Sequence, residues 1–113
     1  MSAAIDFLHL EQYVCGDAAL RDEILTIFTE QAALWWERLD AGLPDGDWYD
    51  AAHALKGASR GVGAWAVGDL CEAAEKLVGE SPSKASSRRA ILSELRAELD
   101  EAISEARRER DAA

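Results

Sequence analysis

The sequence predicts an all-α protein, an antiparallel up-down four-helix bundle with a short extra N-terminal helix. Three observations carry this. No Val/Ile/Thr-rich segment alternates with a period of two, so no strand is expected. Apolar residues recur instead at three- and four-residue steps through long segments. Short loops containing Gly, Pro, Ser and Asp separate those segments, as antiparallel neighbours require. At 113 residues the chain is expected to form one domain over residues 1–113, with a core that stands without metal or disulfide.

The first helix is expected from about Asp6 to Val14, ending before Cys15-Gly16-Asp17. Asp17 suits an N-cap. A second helix follows from about Ala18 to Ala41, with Leu20, Ile24, Ile27, Phe28, Leu34, Trp35 and Leu39 at helical spacing. Those residues are assigned to its buried arc, which leaves Leu25, Ala32 and Trp36 off the centre. Gly42, Pro44 and Gly46 break the chain, and a third helix runs from Asp45 or Asp47 to about Val62. Only Gly61 and Gly63 separate it from a fourth, about Ala64 to Val78, whose Val67, Leu70, Cys71, Ala74 and Leu77 share one side. The two could be one kinked helix or two. Ser81 and Pro82 read as an N-cap followed by proline at the first helical position. The last helix is expected from Pro82 or Ser83 to Arg108, with Leu92, Leu95, Leu99, Ile103 and Ala106 as its stripe. Residues 109–113 are expected to fray.

Charge and cysteine usage narrow the function. Net charge is −10, and the last thirty residues balance, with seven basic and seven acidic side chains. The excess therefore lies in the first 83 residues, whose five cations are Arg21, Arg38, Lys56, Arg60 and Lys76. Nucleic-acid and anionic-membrane binding need a basic face, so neither is expected. No apolar run is long enough to span a membrane. The N-terminus lacks a basic segment followed by an apolar one, so a cytoplasmic setting is expected. Cys15 and Cys71 both fall in apolar-periodic stretches and are expected to be buried, reduced thiols. Two histidines with no Glu-x-x-His spacing argue against a di-iron bundle.

The third helix holds the unusual stretch, "AAHALKGASRGVGA", residues 51 to 64. Glycine in a helix interior costs about 1 kcal/mol relative to alanine. On a helical wheel Trp48, Ala52, Leu55, Ser59 and Val62 fall in one narrow arc, the expected buried face. Ser59 can bond back to the carbonyl of Leu55. His53 points away from that arc, toward solvent, beside Tyr49, Lys56, Gly57 and Arg60. Gly57 removes a side chain next to the imidazole and lets another molecule approach. Lys56 and Arg60 bring cations to the same side. An open imidazole flanked by cations suits a phosphoryl group. His9 has no such surroundings.

These residues carry a family resemblance. The stretch resembles the signature of histidine-containing phosphotransfer (HPt) domains, A-H-x-L-K-G-x-S, three residues, then G-A. Ala52, His53, Leu55, Lys56, Gly57, Ser59, Gly63 and Ala64 meet every fixed position. Upstream "GDAALRDEILTIF" and downstream "VGDLCEAAEKL" resemble the flanking helices, so the resemblance covers nearly the whole chain. It implies that His53 is the phosphorylated nucleophile, that Lys56 stabilises the phosphoryl group, and that Gly57 makes room for the partner's active-site loop. It places Glu75 near the histidine. Arg60 and Gly61 depart from the pattern, and Arg60 is read as added charge that selects a partner. Gly57, Arg60, Tyr49, Trp36 and Glu75 form the expected docking surface; its apolar candidates on the second helix are Leu25, Ala32 and Trp36, with Trp36 bordering the surface near Tyr49.

The sequence has no Walker A pattern and no Gly-rich phosphate loop, so no autonomous ATP-dependent kinase activity is expected. The resemblance implies partners: receiver domains of response regulators and of hybrid sensor kinases. The chain needs no cofactor of its own on this reading, because the receiver supplies its phosphorylated aspartate and Mg2+. The expected reaction is reversible transfer between that aspartate and His53. The alternative is a bundle that binds receivers without transfer, which the presence of His53 disfavours. Four long helices in one chain favour a monomer.

Overall fold

Asp6 opens the first helix: its carboxylate accepts the His9 N–H at 3.1 Å. The computed structural model describes residues 3–112. Within them the helices are α1 (Phe7–Val14), α2 (Ala18–Arg38), α3 (Asp45–Gly61), α4 (Trp65–Glu75) and α5 (Lys84–Asp111), and no strand is present among the described residues. Asp17 caps α2 as its residue type suggests, accepting from the Leu20 N–H at 3.0 Å. Contacts run from α2 to α3, α3 to α4, α4 to α5, and α5 back to α2, so four helices close a ring, with α1 laid on α2. The all-α, four-helix architecture with its short N-terminal helix is therefore observed.

α3 and α4 are two helices, separated at Gly63. That residue has φ +80°, and a Cβ there would stand 2.9 Å from the carbonyl oxygen of Asp6. The close approach exists because the Asp6 N–H donates to the Gly63 carbonyl at 2.9 Å, tying the start of α1 to the α3–α4 turn. Only glycine meets both demands without strain.

Several boundaries move. α2 ends at Arg38, and Leu39 turns inward as its buried C-cap. α5 starts at Lys84 with Ser83 at its N-cap position, so Ser81 and Pro82 stay in the loop. At its other end α5 is helical to Asp111, past the expected fraying point. The reason is packing: Ala106 is buried, Glu105 accepts from the Ala4 and Ile5 N–H groups at 2.7 and 3.1 Å, and Glu109 pairs with Arg21 at 3.3 Å. Residue 113 lies outside the described residues.

The core is apolar, with Trp48, Leu55, Val67, Cys71, Leu95 and Leu99 among its buried side chains. Arg88 is buried too, which its surface-type residue class did not suggest. Its guanidinium lies 4.5 Å from the Trp48 ring and donates to the carbonyls of Ala41, Leu43 and Leu77 and to Asp45. It thus joins the α2–α3 loop, the start of α3 and the end of α4.

The buried face of α2 is a correction. Leu25, Phe28 and Ala32 enter the core, while Leu20, Ile27 and Leu34 are exposed and Ile24 and Trp35 are half-buried. Leu25 and Ala32 are therefore core residues, unavailable for docking. Phe28 and Leu39 are buried as expected, but this helix has apolar residues on both faces, and periodicity alone added three exposed ones and left out Leu25 and Ala32. Cys15 also departs from expectation: it is exposed, in the left-handed region at the end of α1. Cys71 is buried, and burial, reinforced by the nearby Glu75 charge, pushes its thiol up to about 12, so it stays protonated and chemically quiet.

Candidate functional site

α3 buries Trp48, Ala52, Leu55 and Ser59, and so turns His53 outward. The His53 side chain is 59% exposed. One ring nitrogen is nevertheless engaged: Nδ1 lies 2.6 Å from Oε2 of Glu75 on α4. The other carboxylate oxygen of Glu75 accepts from Lys56 Nζ at 2.7 Å. Lys56 is four-fifths covered and Glu75 only 8% exposed, so this bridge is held between the two helices rather than in open water. The Tyr49 ring stacks on the imidazole, one turn earlier on α3, with centroids 5.6 Å apart and planes at 12°.

A carboxylate can only accept, so the proton between Nδ1 and Glu75 belongs to the imidazole. In the neutral ring that leaves Nε2 with the free lone pair, on the exposed side. Burial pushes the Glu75 carboxyl up, but hydrogen bonds from Lys56 and His53, with their charges, outweigh it and hold it below the usual glutamate range. The arrangement presents one nucleophilic nitrogen in a fixed ring orientation, with a cation held by the same carboxylate.

The two cations expected beside His53 are both paired. Lys56 is held by Glu75. Arg60 turns away, across α4, to Asp69 at 3.4 Å and Glu72 at 3.1 Å. It can cross there because residue 68 is glycine: a Cβ would stand 2.7 Å from Arg60 Cγ. Arg60, the departure from the pattern, thus straps α3 to α4. Glu75, counted with the docking residues, is too buried to meet a partner and acts on His53 instead. Ser59 Oγ is buried without a hydrogen-bond partner, so it makes no bond to the carbonyl of Leu55.

Gly57 has open space around it, with no atom within 4 Å of an added Cβ, and Gly61, one turn on, is equally open. Together they floor a groove between α3 and α2, walled by Tyr13, Ile24, Ile27 and Gln31. Trp36 is not on this face. It turns toward α5, where the Arg96 guanidinium lies 5.8 Å from its ring, whereas Trp35 faces the start of α3, near Asp47 and Ala51. The groove residues of α2 were missed because the helix was read in the wrong rotation. The available signal was the seven-residue recurrence of Leu20, Ile27 and Leu34 beside glutamates.

Comparison with known proteins gives two findings. The family described as Hpt domain matches residues 23–109. Comparison with curated proteins gives no match. Among solved structures, the crystal structure of histidine phosphotransferase ShpA from Caulobacter crescentus is similar, with a TM-score of 0.69 and 40% identity over 92% of this chain and 88% of that one.

Proposed function

The chain belongs to the Hpt domain family, and from that premise we propose that it is a phosphocarrier that takes a phosphoryl group onto His53 from a receiver-domain aspartate and passes it to another receiver. The observation that carries this is the 2.6 Å contact between Nδ1 and Glu75 on a ring that is otherwise open to solvent. It leaves Nε2 as the attacking atom.

The step balances simply. The Nε2 lone pair attacks phosphorus in line, the N–P bond forms, and the bond from phosphorus to the aspartyl oxygen breaks to release a carboxylate. The proton on Nδ1 stays between the ring and Glu75, and the carboxylate offsets the positive charge that the phosphorylated ring acquires. Return to a receiver is the reverse. Lys56 is placed to follow the phosphoryl group by exchanging one oxygen partner, Glu75, for another. Gly57 and Gly61 leave the approach clear.

The test is phosphotransfer from a panel of labelled phospho-receivers, with His53→Ala alongside. Acid-labile phosphate on the wild type and none on the variant is the expected result. Equal labelling of both, or of neither, overturns the reading.

A further inference from the structure

We infer that Arg60 is a positioning residue for transfer at His53: by holding Asp69 and Glu72, it leaves Lys56 to Glu75 and to the phosphoryl group. This rests on the proposed function in taking His53 as the phosphoryl acceptor. The ion pairs show that α3 and α4 run in opposite directions. His53 and Lys56 meet Glu75, and Arg60 meets Glu72 and Asp69. Steps of three and four residues keep each set on one side of its helix. One edge therefore carries His53, Lys56 and Arg60, and the edge facing it carries Asp69, Glu72 and Glu75.

That register gives Lys56 two carboxylates to choose from. Moving three residues along each helix, in opposite directions, carries the His53–Glu75 contact onto Lys56 and Glu72. Glu72 thus competes with Glu75 for the ammonium, and its side chain is exposed enough to turn toward either cation. Arg60 removes the competitor, with its guanidinium 3.1 Å from Glu72 and 3.4 Å from Asp69. Lys76, one turn after Glu72 on α4, makes no ion pair among the described residues. Gly68 gives Arg60 its path. The arginine stem crosses α4 there, and a Cβ on residue 68 would stand 2.7 Å from its Cγ and 3.0 Å from its Nε. Glycine inside a helix is unfavourable, and at this position it keeps Arg60 within reach of both carboxylates.

Charge shows why the pairing matters. Three carboxylates face two permanent cations, so the paired edges carry one net negative charge beside a neutral imidazole. Without Arg60 they would carry two, and the phosphoryl group brings more negative charge to Nε2. Asp69 and Glu72 are partly solvated, so their direct repulsion on that group is modest. The larger effect falls on Lys56. An unpaired Glu72 draws the ammonium along α4, away from Glu75 and from Nε2. Arg60 therefore acts through Lys56 and touches no reacting atom.

The experiment labels the full chain with phosphoramidate, a small phosphoryl donor that needs no partner, and with phospho-receivers in parallel. Labelling rates at His53 are compared for the wild type, R60Q and the triple variant R60Q/D69N/E72Q, with the fold of each checked by circular dichroism. R60Q should label at least about threefold more slowly at low salt, and the gap should shrink at high salt. The triple variant should recover the wild-type rate, because nothing is left to draw Lys56 away. A strap needed only for packing would stay broken and slow. Gly68→Ala, which pushes Arg60 off its path, should slow the wild type and add nothing to R60Q. An R60Q rate equal to wild type overturns the inference, as does a triple variant as slow as R60Q. A defect seen with receivers and absent with phosphoramidate makes Arg60 a partner contact and overturns it as well. The expected pattern with phosphoramidate, but no labelling from any receiver, keeps the positioning role and sinks the carrier. Receivers and phosphoramidate that label every variant alike sink the positioning role and leave the carrier standing.

Discussion

Glu75 touches both His53 and Lys56, so its removal separates orientation from charge. Glu75→Gln keeps an acceptor for Nδ1–H but gives up the negative charge. Transfer to His53 should slow roughly tenfold, as when a partner that orients a histidine is lost elsewhere, and Glu75→Ala should slow it further. Single-turnover labelling checks both. The pH dependence has a definite sign. The Glu75 carboxyl is held below its ordinary value of 4.5 in the folded chain. Its contribution to stability is therefore complete above that value and is lost as pH falls through the lower folded value. Wild type and Glu75→Gln should differ in melting temperature at neutral pH and converge in acid. Ser59 offers the opposite case. Its hydroxyl is buried and unpartnered, so Ser59→Ala should be neutral or stabilise the protein by up to about 1 kcal/mol in denaturant titration.

Along α3 the glycines divide by what surrounds them. Gly57 sits mid-helix in open space, so Gly57→Ala should raise stability by about 0.5–1 kcal/mol while slowing transfer, if clearance for the partner is its role. A variant that is both more stable and equally active would remove that role. Gly63→Ala should be destabilising by more than 1 kcal/mol, because φ is +80° and Asp6 is too close. At this scale α3 was legible in the sequence, since its polar and apolar residues separate cleanly around the wheel. α2 was not, because its exposed apolar residues Leu20, Ile27 and Leu34 recur with the same periodicity as its buried ones. The destination of Arg60 was also hidden: it depends on Gly68, which comes near only when α3 and α4 pack.

Over the whole molecule, Arg88 is the polar group on which most distant segments converge. Its guanidinium serves three loop or helix-end carbonyls and Asp45, and Asp45 in turn accepts from Lys84 and from the Gly79 N–H. Replacing it by alanine leaves those acceptors without their donor beneath Trp48. Arg88→Ala should cost about 3 kcal/mol, measurable as a lowered urea midpoint, with phosphotransfer by the remaining folded protein unchanged. No sequence pattern announces this residue, because arginine on a helix is ordinarily a surface choice. The number and order of helices could be read from breakers and apolar spacing. What closes the loops over the end of the bundle could not, since Arg88 reaches Ala41, Leu43 and Asp45, more than forty positions away.

The stack of Tyr49 on His53 has a spectroscopic consequence. Two nearly parallel rings 5.6 Å apart shift each other's proton resonances through their ring currents. A phosphoryl group on Nε2 adds an anion at the edge of that pair and changes the charge of the imidazole. The Tyr49 ring signals should therefore split into two sets whose ratio follows the occupancy of His53. On the proposed function, those signals would report the loading and emptying of His53 in real time.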